Sequence, residues 1–508
     1  MNTLQSSLCG VMRCHVICFF LCAIALFPAT LSAQQLPAEQ QVVLESAYDT
    51  SAKTNELIIA TAENPPEQDS TAEGSDPAGA ATFSNVLFGD AATTEKIFGG
   101  RGGYFHPYFS VEEKYTDNLF NINIDQVEVF LTSVSTGAWF SLPRLDGVPI
   151  KLATHNAAIG GARLSLSEKK SFDRFQAYLA GDLNYRSYSD YTDLNNFAWR
   201  LEGLYQQNLP AGISFRFIDR FSRDQDTFDR GSFLPQDFTV DGDNTHVSSP
   251  PSLVRSYYSN LAHLSTIVDL SGRFSTQLDF TSFYLSYDKE ENNWLNRMDT
   301  RYSASIAYKY SPKTSFFVEY DYAVVTYDTE QTNDGSSSFF YTGINWKGSE
   351  KTSLMVKGGY QSKKYDSDLS EKVGAFTAEA RLNYKITDKT SIAANLYKAL
   401  EESNSLTNNG VDTIAAGLHY EQRFNYRVLG RVDFSYEQNN YQGFTRTAIN
   451  DTIDNRKDML FSVRPAVEYT FRDWLRCDLA YTFENRSSDV DIYDFTTQTI
   501  TLSMNIAF

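Results

Sequence analysis

The sequence predicts an all-β fold: a transmembrane antiparallel up-and-down β-barrel of about 18 strands (roughly 16 to 20), behind a disordered N-terminal extension. Three observations carry that prediction. Apolar residues return at every second position in segments of roughly 10 to 14 residues, the length that a tilted membrane strand needs. The connections between these segments alternate between short and long. The last segment alternates to its final residue, with Ile500, Leu502, Met504, Ile506 and Phe508 on one face.

Averaged over 508 residues, a formal net charge of -19 and a mean hydropathy of -0.37 describe an acidic soluble protein. The pattern along the chain says otherwise. The one long apolar run, residues 16–27, is shorter than the roughly 20 residues of a spanning helix and follows Arg13 and His15. It reads as the core of a signal peptide covering 1–33, with Leu31-Ser32-Ala33 preceding cleavage. Residues 34–100 are rich in Ala, Thr, Ser, Glu, Asp and Pro, with Lys53 and Lys96 as the only cations. Too little apolar surface is present there to offset the entropy of ordering, so an acidic periplasmic linker or tail is expected. The barrel is expected over 101–508.

Alternation is clearest at Tyr302, Ala304, Ile306, Tyr308 and Tyr310, and again at Phe316, Val318, Tyr320, Tyr322 and Val324 after a Ser311-Pro312-Lys313-Thr314 turn. Residues two apart share one face of a strand. The same hairpin recurs with Thr352-Ser353 after Lys351 and Thr390-Ser391 after Lys389. Pro465 withdraws a ladder donor and predicts a bulge or irregularity in its strand. Residues 126–171 read either as two strands or as one strand plus an excursion.

An aqueous sandwich also alternates, so the placement of the apolar face decides. Long strands, aromatic residues toward strand ends, no helix to cover the sheet and segregated connection lengths all favour lipid. Short connections fall at 209–212, 311–314, 387–390 and 472–474. Long ones fall at about 224–253, 288–299, 328–337, 400–410, 440–457 and 487–495.

If the apolar rows face lipid, the alternate rows line a wet, mixed-charge lumen. Its candidate lining residues are Glu379, Arg381, Arg431, Asp433, Glu437, Arg464, Glu468, Arg476, Asp478 and Glu484. The acidic connection near 223–252, with Asp224, Asp229 and Phe233, reads as a solvated loop or an inward constriction. The row ending at Phe508 looks like an assembly signal, a strand able to pair edge to edge with the barrel assembly machinery.

Other chemistries find little support. Cys9, Cys14, Cys18 and Cys22 lie in the segment to be discarded, leaving Cys477 without a disulfide, zinc or redox partner. His106, His155, His246, His263 and His419 are scattered, and neither a Gly-x-Ser-x-Gly elbow nor a phosphate loop occurs. No catalytic residue, metal ligand or cofactor site is therefore expected, and the acidic balance disfavours nucleic acid.

The stretch Tyr104-Phe105-His106-Pro107-Tyr108-Phe109-Ser110-Val111, followed by Glu113-Lys114-Tyr115-Thr116-Asp117-Asn118-Leu119-Phe120, resembles the opening of an outer-membrane β-barrel porin family of the beta-barrel porin 2 type. The resemblance lies in a Pro-containing strand and a Tyr-x-Asp-Asn-aliphatic-Phe turn, and extends over roughly 100–508. It implies the bacterial outer membrane and, through the association of such families with exopolysaccharide biosynthesis and export, polysaccharide and export-complex partners. It transfers no catalytic residue. The chain departs from the family pattern in its acidic extension and an insertion around 141–170. The leading expectation is a passive channel or export conduit for a hydrophilic solute. The alternative is a non-conducting structural or adhesion barrel that binds surface polymer through its external loops.

Overall fold

The computed structural model describes residues 104–123, 126–144, 154–164, 174–210, 212–226, 255–329, 334–366, 372–402, 410–442 and 456–507. The expected signal peptide and extension, most of the acidic connection and Phe508 lie outside the described residues.

Eighteen strands of twelve to sixteen residues form the molecule's one sheet among the described residues. They are β1 (Phe105–Thr116), β2 (Val129–Leu142), β3 (Phe175–Tyr188), β4 (Asn196–Leu209), β5 (Ile213–Asp226) and β6 (Arg255–Asp269). Next come β7 (Phe274–Tyr287), β8 (Arg297–Ser311), β9 (Thr314–Tyr327), β10 (Gly335–Ser349), β11 (Thr352–Tyr365) and β12 (Val373–Thr387). The ring is completed by β13 (Thr390–Glu401), β14 (Gly410–Arg423), β15 (Val428–Gln442), β16 (Lys457–Arg472), β17 (Leu475–Ser488) and β18 (Phe495–Ala507). Every strand pairs antiparallel with its chain neighbours, and β1 pairs with both β2 and β18. Ser110 therefore faces Ser135 on one side and Asn505 on the other, which closes the barrel.

Period-two sequence sorts the side chains. On β9, Phe316, Val318, Tyr320 and Tyr322 are exposed on the outside, while Phe317, Asp321, Ala323 and Val325 are buried inside. Ile500, Leu502 and Met504 of β18 are exposed in the same way, between Thr499, Thr501 and Ser503, which are buried. A belt of exposed Phe, Tyr, Leu, Ile and Val around a whole barrel exceeds any apolar patch that water tolerates, and acyl chains are the solvent it fits. The outer wall carries a small and polar cross-strand row, Gly203, Asp219, Ala262, Ser282 and Thr300. There Asn260 Nδ2 donates to Asp219 Oδ1 at 2.7 Å, which gives the carboxylate a donor that lipid cannot supply.

One end of the barrel carries tight turns. Lys313, Lys351 and Lys389 each donate their backbone N–H to the hydroxyl two residues earlier, Ser311, Ser349 and Thr387, at 3.1 to 3.2 Å. That hydroxyl contact is the physical content of the repeat seen in the sequence. The other end, the loop end, carries the longer connections, with short 3-10 turns at Thr192–Leu194, Glu290–Leu295 and Asp491–Tyr493.

One expectation is met in its milder form and another is corrected. Pro465 brings an irregularity and no bulge: it pairs with Val432 on β15, and the β16–β17 register is the same at Val463–Phe483 and at Ala466–Ala480, with pairing lost beside the proline. The segregation of connection length fails once, because the β2–β3 connection is long yet starts and finishes at the turn end. Of the two readings for 126–171, the excursion is the one found: β2 ends at Leu142, and residues 154–164 contain no strand.

The distinctive Asp-Asn turn after β1 locks the seam. Asn118, 1% exposed, donates from Nδ2 to the carbonyls of Ile122 and Thr496, while its Oδ1 accepts from the Ile122 N–H. Asp117 Oδ1 accepts from the Gln498 N–H at 2.7 Å. One side chain thus ties the β1–β2 turn to the last strand. Replacing Asn118 with Ala leaves buried backbone groups without partners and is expected to lower stability by about 1–3 kcal/mol, read as a lower urea midpoint of the folded barrel in detergent.

Candidate functional site

The interior is where the sequence departs from apolar chemistry, and its wall is built from ion pairs within strands, between neighbouring strands and across one intervening strand. On β12, Glu379 receives Arg381 Nη2 at 2.6 Å and lies 3.4 Å from Lys357 Nζ of β11, which also donates to Glu319 of β9 at 2.7 Å. On β14 and β15, His419 Nδ1 lies 2.6 Å from Asp433 Oδ1, whose other oxygen is 3.9 Å from Arg464 of β16. Arg431 pairs with Asp478, and Arg476 with Glu468 at 3.2 Å. Glu484 is buried on the inner row of β17. On the far side, Arg220 pairs with Glu202 at 2.8 Å and Arg200 with Asp182 at 2.7 Å. Asp224, the described part of the acidic connection's start, pairs with Arg186 at 2.8 Å.

Each of these cations stands beside a carboxylate, so the wall is highly ionised yet locally neutral. That arrangement holds water without a large field of one sign. Two terminal-strand residues of the expected assembly signal need separate mention: Ile506 is half-buried, and Phe508 lies outside the described residues.

The inner wall is not polar throughout. Trp139, Tyr178, Leu204, Ile218, Leu261, Phe283 and Leu285 form a buried apolar cluster on β2 to β7. Part of what covers it is the β2–β3 connection. Residues 154–164 of that connection lie inside the barrel, folded into a compact knob in which the His155 N–H donates to Gly161 O and the Gly161 N–H to Ala158 O, each at 2.9 Å. Gly160 and Gly161 have φ of +82° and +77°, values that exclude most other residues. A Cβ on Gly161 would stand 2.2 Å from the Phe283 ring, so glycine lets the backbone lie against the wall.

Polar contacts fasten this knob. The Gly160 N–H donates to Asp299 Oδ2 at 2.8 Å, and the Glu402 N–H donates to Ala157 O at 2.9 Å. Ile159 packs with Ala323, Val325, Phe339 and Tyr341, and Leu164 against Tyr397, Ala399 and Ala415. The strongest contact is Arg163, buried and held by two carboxylates: Nε and Nη2 each reach Glu401 at 2.7 Å, and Nη1 reaches Glu437 at 2.7 Å. A guanidinium fork matched to a carboxylate is the most directional ion pair available to a protein. Loss of water pushes the His155 imidazole down to about 3, with Arg163 adding to the shift, so Arg163 is the one charge the described segment carries.

The position of these contacts matters as much as their number. The connection is anchored at the turn end, yet Asp299, Val325, Glu401 and Glu402 lie at or near the loop ends of their strands. The knob has therefore travelled through most of the barrel's depth. Around the ring, Phe283 is on β7 and Glu437 on β15, eight strands apart where the widest separation in an 18-strand ring is nine. Gly161 and Arg163 touch these nearly opposite walls, so protein crosses the lumen at this level.

Comparison with known proteins places this architecture. Residues 240–508 match the family described as "Putative beta-barrel porin 2". The chain belongs to that family. As a beta-barrel porin it is an outer-membrane protein of bacteria. Three solved structures resemble it. OccAB4 of Acinetobacter baumannii has 10% identity, covers 80% of this chain and 100% of its own, and gives a TM-score of 0.37. The outer membrane protein OpdK of Pseudomonas aeruginosa has 9% identity, coverage of 80% and 99%, and a TM-score of 0.38. The siderophore receptor PirA of Pseudomonas aeruginosa has 8% identity, coverage of 80% and 80%, and a TM-score of 0.36. Curated proteins give no match.

Sequence parity assigns the ionised residues of this porin to one face of their strands but gives no sign of the knob. The available signal was the run Ala157-Ala158-Ile159-Gly160-Gly161-Ala162, which lacks alternation and sits in a long connection where its neighbours are short. Gly161→Ala is expected to push the knob off Phe283 at a cost of about 1–3 kcal/mol, seen as faster protease cleavage within 154–164 while the barrel itself stays protected.

Proposed function

We propose that this porin is a passive diffusion channel for hydrophilic solutes across the outer membrane. The reading rests on one observation: a lipid-facing ring encloses inner rows of ionised, mutually paired side chains, from Arg200–Asp182 on one side to Arg476–Glu468 on the other. Such a wall suits small polar solutes of either charge, because paired charges hydrate a passage without strongly favouring cations or anions. The knob at 154–164 stands in the passage at one level and so limits what crosses there. With the usual orientation of such barrels, short turns face the periplasm, and the knob's tether lies on that side.

A finer reading, a conduit for exported polysaccharide, is supported by the resemblance of the Tyr104–Phe120 stretch to families found with exopolysaccharide systems. The terminal row of Ile500, Leu502, Met504 and Ile506 supports handling by the barrel assembly machinery. A second reading is favoured by a specific observation: Arg163 and Gly161 bridge nearly opposite walls, as expected of a non-conducting structural or adhesion barrel. Liposome swelling separates the two. The channel reading predicts swelling rates that fall steeply from a pentose to a trisaccharide, with a reversal potential near zero in a salt gradient. Complete impermeability to the pentose, in protein shown to be folded by heat-modifiable migration, would overturn it.

A further inference from the structure

We propose that residues 154–164 form a retractable stopper, latched in the lumen by Arg163 and drawn back toward the turn end when the channel opens. The proposal rests on the channel reading above and assigns that channel its gate.

Four observations support it. First, the stopper is a loop and not a strand. Both ends of the β2–β3 connection leave from the turn end, so withdrawal breaks no rung of the barrel ladder. Second, the surface behind it is ionised as well as apolar: carboxylates and cations stand beside the residues that Ile159, Gly161 and Leu164 touch. Retraction uncovers Asp299, Arg297, Glu401, Glu402 and Glu437, and the Arg297–Asp299 pair at 3.0 Å and the Lys363–Glu402 pair at 2.6 Å remain when the loop leaves. A permanent partition would more economically be apolar, since buried ionised groups carry a desolvation cost that a flooded lumen relieves.

Third, the knob keeps its own shape. The His155–Gly161 and Gly161–Ala158 backbone bonds are internal, so the segment can move as a body. Its small residues, Ala157, Ala158, Gly160, Gly161 and Ala162, leave few side chains to drag past the wall. Fourth, the ionic attachment is concentrated. Arg163 is the segment's single charge, and one guanidinium satisfies two carboxylates on separate strands. Removing it leaves Glu401 and Glu437 facing each other without a cation, which favours hydration of the site and departure of the loop.

The latch predicts that Arg163→Gln increases the open fraction of single channels in planar bilayers by about ten-fold or more. A second variant fixes the loop in place. In a Cys477→Ser background, Ile159→Cys and Ala323→Cys put thiols on two residues of one packed cluster. They are joined by oxidation or, where the direct disulfide does not form, by a short bismaleimide, and linkage is verified by loss of free thiol. The linked protein is expected to show no openings, and reduction of the disulfide form to restore them. A third variant replaces 154–164 by a Gly-Ser linker and is expected to stay open.

Openings that persist unchanged in the linked protein would overturn the stopper while leaving the channel reading standing, since the segment would then be a fixed constriction. An open fraction for Arg163→Gln equal to that of the unaltered protein would overturn the latch. Silence of the linker variant, with a barrel that is folded by heat-modifiable migration, would remove the channel reading and the gate together.

Discussion

The structure depends on ring closure. A strand in hydrocarbon has no water to satisfy its N–H and C=O groups, so each edge needs a partner, and eighteen strands achieve this only because β1 pairs with β18. The seam is also where the chain's two most distant strands meet, which makes it the costliest contact to find. Asn118 and Asp117 stand at that place, joining residues nearly 400 positions apart through Thr496 and Gln498. The motif that distinguishes the opening of the barrel is thus a closure device.

Closure in turn imposes the composition on both faces. Outside, apolar rows must be continuous, and Asp219 is tolerated because Asn260 supplies its donor. Inside, a ring of this size leaves space that side chains from the wall alone do not fill, and ionised groups there are stable when neighbours on nearby strands neutralise them. Lys357 between Glu319 and Glu379 shows the pattern: three strands, one cation, two acids, and contacts that follow from register.

Period-two alternation made the barrel legible because it is a local property, sampled again in every strand. Inner-row residues such as Glu379, Arg431 and Asp433 could be named for the same reason: parity alone assigns them to a face. Their partners could not, since pairing Arg431 with Asp478 requires knowing which strands adjoin and in what register. The knob was illegible on stronger grounds. Arg163 meets Glu401 and Glu437 across 238 and 274 residues, and nothing periodic links them. Residues 126–171 read equally well as two strands or as one strand plus an excursion, and the rule that long connections belong to one end of a barrel pointed away from a long connection at the other.

That exception has a physical logic. A segment that enters from the loop end meets the lumen beside the other long connections, whereas one tethered among tight turns enters a mouth with little else to crowd it. The β2–β3 connection is therefore free to extend along the axis, and its reach is limited by chain length and not by neighbours. Once at the loop end it meets a wall where Asp299, itself paired with Arg297, accepts the Gly160 N–H, and where the Glu402 backbone N–H donates to Ala157 O. There Glu401 and Glu437, on two separate strands, are met by a cation from the loop, Arg163. The same charge balance that keeps the lumen wet thus also determines where the lumen is crossed.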